Sequence, residues 1–486
     1  MTVERINQIV RSLLLVGLFG LFAWLLVTHL AEDREAKGFG RLRQGAGNDP
    51  GVRVLLANRL PPEAIETHDK VVIEILQAAE LVAPDDPVGK HEFLKAGATI
   101  RVEVAGNDGF LLSSKDWHEG AKDLRWAVQS FLLLPRATRP ATDNRIDHDG
   151  NPTVPNPRTF EAADQRAVFR LPGIDPKYQP SYRGNLQVLW NSPKDLQLIN
   201  HLPMEAYLEG VIAVEMSPSY PLEALKAQAI ASRGFAYCKA ASAQRRAYDL
   251  LDTREDQEYR GAGFSTLAVV QAVVDTRGII PTIHANPFIP MFSASSGGYT
   301  SDIEGVYPGA KDLYGREPLS TVMISKPDPY CLPGITALGK LGTHWETAND
   351  ILSQDIQKRL ASALLANGQQ LGFINQLRVG KRDARSNRVQ SVLVYHTLAT
   401  NPIEVPATTF RNLVGPQLIK SSLWTPESPK KIEGNDRKFR WRIATLGWGH
   451  GVGMSQVSAW EMAHQGKSAK TIIEFFYQDV ELKAVW

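Results

Sequence analysis

The chain has 486 residues, 43% of them hydrophobic and 22% charged, with a formal net charge of +2. That length holds two or three domains or one elaborated domain, and the near balance of charge neither demands nor excludes an anionic partner. No basic run with interleaved aromatics occurs, which leaves nucleic-acid binding without support.

From Ser12 to Ala31 the sequence carries no Asp, Glu, Lys or Arg, and Leu13 to Val27 is wholly apolar or glycine. About 20 such residues are enough to cross a hydrocarbon core as one helix. Arg5 and Arg11 precede the run and Glu32 and Asp33 follow it, so the start of the chain is expected in the cytoplasm and the rest outside. A cleaved signal peptide is the other reading, but no A-x-A-like site follows. We therefore expect a membrane anchor over 1–35 and a polar tether over 36–50.

Val52–Leu56, Val71–Ile75 and Thr99–Val104 read as strands on alternation and β-branched content. Residues 135–180, rich in Pro, Asn, Asp and Thr, read as an inserted loop, and Leu186–Leu198 returns to strand patterning. The stretch from Met204 to Arg246 is helical with a break at Pro218. Met204, Leu208, Val211 and Ile212 form one apolar face, and Pro221 opens a second, Ala-rich helix. Strands are expected at Leu267–Val274, Ile279–Ile283 and Met291–Ala294. A helix is expected at Asp350–Leu371 and a hairpin across Leu377–Tyr395. Helices then start at Ser455, ending near Gly466, and at Ser468. The fold class is α+β: a strand-rich part over 51–200, then a mixed helix/strand core over 201–486 with an insertion near 345–440.

Glu215 ends the first of the paired helices between Val214 and Met216. Apolar surroundings raise a carboxyl pKa, which is what a proton donor at neutral pH requires. Lys226 and Arg233, seven apart, share one stripe of the next helix. Two cysteines, Cys238 and Cys331, build no disulfide framework, although one bridge between them is open. No C-x-x-C or H-E-x-x-H spacing is present, and neither a metal nor a cofactor is expected. Gly447, Gly449, Gly451 and Gly453 alternate with Trp448, His450, Val452 and Met454. In an extended backbone that alternation leaves one face bare for a sugar ring or a second backbone. Ser295 and Ser296 precede Gly297 and Gly298 after a strand, with no G-x-S-x-G frame for acyl transfer.

The run Tyr207-Leu208-Glu209-Gly210-Val211 to Glu215-Met216, followed by Pro221 to Arg233, resembles the core of the SpoIID/LytB (stage II sporulation protein D) family. Ser217 and Tyr220 depart from its pattern. Tyr182-Arg183-Gly184, Ser295-Ser296-Gly297-Gly298-Tyr299-Thr300 and Gly449-His450-Gly451-Val452-Gly453-Met454-Ser455-Gln456 resemble its other blocks, in order. The resemblance implies an α+β lytic transglycosylase of the cell envelope that cuts peptidoglycan glycan strands lacking stem peptides. An amidase would act before it. It implies Glu215 as acid and then base, with Lys226, Arg233, Tyr259, Ser295, Ser296, His450, Ser455 and Gln456 in contact with substrate. Asp256, Gln257 and Tyr259 resemble a further short segment lining the same cleft. The rival is a glycan-binding enhancer of an N-acetylmuramoyl-L-alanine amidase. Zinc occurs in part of the family, but no His/Cys cluster that would supply it is present.

Overall fold

The computed structural model describes residues 50–56, 70–83, 91–105, 109–114, 124–126, 130–135, 168–171, 181–192, 195–243 and 247–486, except 367 and 434–438. The expected anchor and tether lie outside the described residues, as does most of the 135–180 insertion. No described helix is long and apolar enough to cross a membrane. The described chain is mixed α+β and divides into two compact units. One runs from Gly38 to Ile280 and takes in Lys483–Trp486; the other holds Pro281–Leu482.

The N-terminal unit carries two sheets. The seven-stranded one has the spatial order Leu250–Leu251, Gly51–Leu55, Asp195–Pro203, Asn185–Ser192, Ser130–Pro135, Ala79–Val82, His91–Leu94. The six-stranded one runs Ser181–Tyr182, Phe169–Arg170, Lys70–Ile75, Thr99–Val104, Phe110–Ser113, Leu124–Trp126. Ile100 and Val102 are buried while Thr99 and Arg101 are exposed, so the alternation read in the sequence is the alternation of the faces. Phe169–Arg170 is a strand within the stretch expected to be a loop; it pairs with Lys70–Ile75 and Ser181–Tyr182.

Three helices complete this unit: α1 (Met204–Glu215), α2 (Leu222–Ser242) and α3 (Leu267–Asp275). Met204, Leu208, Val211 and Ile212 of α1 have no exposed surface, each burial contributing roughly 1.5–3 kcal/mol. Ala224, Ala227, Ala229 and Ala231 make α2 thin enough to be covered on several sides. The strand expected at Leu267–Val274 is instead α3. The Thr266 hydroxyl caps it by accepting from the Val269 N–H, and the buried residues Val269, Ala272 and Val273 follow helical spacing. Leu267 and Val274 are 89% and 60% exposed. Valine content suggested a strand, but a sequence without two-residue alternation buries one face only as a helix. The boundary between the two compact units lies near 280, and α1 to α3 fall in the same unit as the N-terminal sheets.

In the C-terminal unit, α4 (Cys331–Ala337) packs against α7 (Gln456–His464) through Cys331, Ile335 and Val457. The last helix, α8 (Ala469–Phe476), is capped by Ser468. Between them, residues 346–446 hold a hydrophobic cluster of their own. It includes Ile356 and Leu360 of α5 (Ser353–Ala366), Phe410 and Val414 of α6 (Ala407–Val414), and Val392, Val394 and Ile443 from strands. The expected helix from Asp350 starts only at Ser353. Asp350–Leu352 ends the strand Glu346–Leu352, which pairs antiparallel with Phe439–Leu446. The hairpin is present as Ile374–Val379 and Ser391–His396. Met291–Ala294 is reduced to Phe292–Ser293, paired in parallel with Met454–Ser455. Both cysteines are buried and no disulfide joins them, so the bridge left open by the sequence is not made.

Candidate functional site

Glu215 is the last residue of α1, and the helix stops because Met216 turns to extended backbone. Its side chain is half-buried rather than enclosed, between half-buried Val214 and buried Met216. One carboxylate oxygen accepts the backbone N–H of Glu258 at 3.0 Å. That bond ties the end of α1 to the loop Asp252–Arg260. Glu258 has its own carboxyl held below the usual range by Arg254 and Arg260, against the opposing effect of its burial. Tyr207, on the buried side of α1, donates to Gln257 at 3.2 Å, and Tyr259 donates to Asn200 at 2.9 Å. Burial raises the Tyr207 phenol well above its ordinary value, with Asp256 and Glu215 adding to it. The loop that resembles the family's short segment thus meets the helix that carries the acid, although Tyr259 itself is buried under Gly210. A Cβ on that glycine would lie 2.6 Å from the Tyr259 ring.

The basic pair on α2 is engaged within the protein. Arg233 has no exposed surface. Its Nε and Nη2 donate to the two Glu205 oxygens at 3.1 and 2.7 Å, and Nη1 donates to the Ile279 carbonyl at 3.1 Å. It is a structural ion pair, not a group presented to substrate. Lys226 pairs with Asp275 at 2.8 Å and Glu223 at 3.0 Å; the Asp275 bond raises its pKa first, burial works against this, and Glu223 adds to the rise. Arg183 of the upstream block likewise closes on Glu209 at 2.7 Å. The following Gly184 has φ +78°, and its place is fixed by the His201 carbonyl, 2.2 Å from where a Cβ would sit.

The remaining expected contacts lie in the C-terminal unit. Ser295, Ser296 and Ser455 are buried; Ser295 Oγ accepts the Gly297 N–H at 3.3 Å and lies 3.4 Å from Cys331 Sγ, while Ser296 and Ser455 join a network whose hub is Asp328. Ser296 Oγ and Ser458 Oγ donate to Asp328 Oδ2 at 2.6 and 2.7 Å, Ser455 lies 2.8 Å from Ser458, and the Ser296 N–H donates to Ser455 Oγ at 3.3 Å. Burial raises the Asp328 carboxyl pKa against those bonds. Asp328, between Pro327 and Pro329, was not legible in the sequence, since no motif surrounds it. These serines fix two loops rather than offering hydroxyls to a sugar. Ser455 sits at the N-cap of α7, yet its hydroxyl does not cap that helix. Gln456 is the first residue of α7 and is buried.

The glycine run is not the extended strand expected. Gly447, Gly449, Gly451 and Gly453 have φ of +80°, +113°, +76° and +67°, so the backbone coils at every second residue. Its bare positions are filled by protein. Cβ atoms at 447 and 453 would strike the Gly297 nitrogen at 2.7 Å and the Met291 carbonyl at 2.0 Å. Of the side chains between, His450 is half-buried, and its Nδ1 accepts the Val452 N–H at 3.0 Å. Burial first, then Arg411 and Arg388, lower its pKa to about 3, so the ring is neutral at physiological pH. Trp448 carries the Lys420 ammonium 4.0 Å from its ring centroid. Among the described residues no group of His, Cys, Asp and Glu forms a metal site.

The helix end that carries Glu215 lies in the N-terminal unit and the serine network around Asp328 in the C-terminal one, and comparison with known chains adds a family to this geometry. Residues 192–282 match the family model for SpoIID, stage II sporulation protein. The chain is 29% identical to an uncharacterized protein of Brachyspira hyodysenteriae, over 66% of this chain and 75% of that one. It is 27% identical to stage II sporulation protein D of Bacillus amyloliquefaciens, over 66% of this chain and 89% of the relative. It is also 26% identical to the amidase enhancer of Bacillus subtilis, over 57% of this chain and 40% of that protein. The match over 192–282 and the similarity to the stage II sporulation proteins D support membership of the SpoIID family and a function related to the cell wall.

Proposed function

We propose that this chain is a lytic transglycosylase acting on peptide-free peptidoglycan strands, with Glu215 as its acid and base. The observation that carries the reading is the half-buried Glu215 carboxylate, fixed by the Glu258 N–H at the end of an otherwise buried helix inside the matched segment. Protonated Glu215 would deliver its proton to the glycosidic oxygen as C1 of the muramoyl sugar gains positive charge. The resulting carboxylate would then take the proton of the sugar's own 6-hydroxyl as that oxygen closes on C1. The product is a 1,6-anhydro ring, and no second carboxylate is needed to activate water, in contrast to hydrolytic glycosidases. The uncharged run Ser12–Ala31 supports a membrane anchor that keeps this chemistry in the cell envelope.

The relative named amidase enhancer supports a second reading, in which the chain binds glycan and stimulates a wall amidase without cleaving. Incubating the full-length protein with peptide-free strands and analysing products by mass spectrometry separates the two. The enzyme reading expects 1,6-anhydromuramoyl ends that disappear with Glu215→Gln while binding persists. Strands that are bound but left intact by the unmodified protein would refute it.

A further inference from the structure

Residues 346–446 carry fifteen Lys and Arg against eight Asp and Glu, a net charge of +7 in a chain whose total is +2. Most of the buried cations described in the N-terminal unit are neutralised: Arg53 by Asp249, Arg183 by Glu209, Arg233 by Glu205 and Lys239 by Asp256. Three cations of the 346–446 segment are not. Arg388 is 2% exposed; it donates to the carbonyls of Ser296 and of Tyr299 (3.0 Å), and its Nε has no partner. Arg411 donates through Nε to the Lys420 carbonyl at 3.2 Å, the same oxygen that accepts the Gly449 N–H at 2.9 Å. Lys420 lies over Trp448 and donates to the Thr343 carbonyl at 2.9 Å. No carboxylate among the described residues forms an ion pair with any of the three. Burial lowers Arg388 and Arg411 to about 10 and also lowers Lys420.

Positive groups removed from water without a counter-ion are costly, and the cost is recovered when an anion arrives. Lys420 lies over the half-buried Trp448, Arg411 acts on the neutral His450, and both cations keep part of their surface exposed to an incoming group. We propose that Arg411 and Lys420 form a carboxylate subsite that reads the lactyl carboxylate of a muramoyl residue, a group that exists only after the stem peptide has been hydrolysed off. The inference rests on the wall-glycan reading above and adds how a peptide-free strand is told from a substituted one. It also moves carboxylate recognition away from Lys226 and Arg233, whose charges are already spent.

The test measures binding of three strands to the full-length protein carrying Glu215→Gln: peptide-free glycan, the same glycan with its carboxyls reduced to alcohols, and glycan still bearing stem peptides. We expect peptide-free glycan to bind about tenfold tighter than either other strand, as fits one charge-assisted contact. That preference should shrink at high ionic strength. Lys420→Gln and Arg411→Gln should each abolish most of it while leaving the reduced strand's affinity unchanged. Arg411→Gln also removes a bond to the Lys420 carbonyl and Lys420→Gln one to the Thr343 carbonyl, so far-UV circular dichroism and melting temperature of each variant must match the parent protein for the loss of preference to count. Equal binding of all three strands, or variants that keep the preference, would overturn the subsite and leave the wall-glycan reading standing. Binding of none would remove both.

Discussion

Replacing Arg233 with Met tests whether this residue holds the fold or the substrate. The side chain makes two charge-assisted bonds to Glu205 and further bonds to the Ile279 and Val273 carbonyls and the Thr276 hydroxyl, all inside the N-terminal unit. After Arg233→Met, Glu205, itself 8% exposed, would keep the Gly278 N–H at 3.0 Å as its remaining bond among those described. Removing one partner of a buried ion pair costs about 3–5 kcal/mol. Total stabilities run to about 5–15 kcal/mol, so a large part of this unit's margin would go. Trp486, stacked on Tyr237 at 6.2 Å in the same unit, provides a fluorescence signal for urea unfolding. The single variant should lower the midpoint strongly. Arg233→Met with Glu205→Leu should recover most of the loss, because an apolar pair of similar volume replaces a buried ion pair at little cost. A single variant that loses under about 1 kcal/mol, or a double variant no better than the single, would refute the structural assignment.

Two further outcomes follow from the C-terminal unit. His450 and His344 have folded-state pKa values of about 3 and about 4, both below the ordinary 6.5, through burial and neighbouring cations. Between those values and 6.5 the unfolded chain binds protons that the folded chain does not, so stability is full above about pH 6.5 and falls as pH drops toward 4. Thermal melts across that window should show the fall, and NMR should find the His450 ring neutral at pH 5; a ring protonated at pH 5 would contradict the burial argument. Gly453→Ala should be far more damaging than Gly466→Ala. Both have positive φ, at a cost of about 1–2 kcal/mol, but only the first drives a Cβ into the Met291 carbonyl, while the second meets nothing within 4 Å. Equal losses in melting temperature would show that contact is not limiting.

The paired helices were legible because their apolar spacing and the proline between them are local properties of the chain. So was the place of Glu215 at the end of the first of them, set by consecutive residues. The role of Arg233 was not, because the sequence shows its spacing from Lys226 but not Glu205, 28 residues earlier, closing on it. The same applies to Asp328, which meets Ser296 and Ser458 only through the fold. The glycine run misled for a different reason: alternation implies a strand only if φ stays negative, and glycine is the residue that need not obey. Arg388, Arg411 and Lys420 belong to no sequence motif, and only the fold shows that no carboxylate among the described residues forms an ion pair with them.

The N-terminal unit is finished by the last residues of the chain. Val485 donates to the Gly278 carbonyl at 3.0 Å, and Gly278 leaves room for no side chain because the Trp486 carbonyl lies 2.5 Å from its Cβ position. These contacts can form only once the intervening residues 281–482 have been made, so the N-terminal unit is closed by a segment more than two hundred residues away from it in the chain.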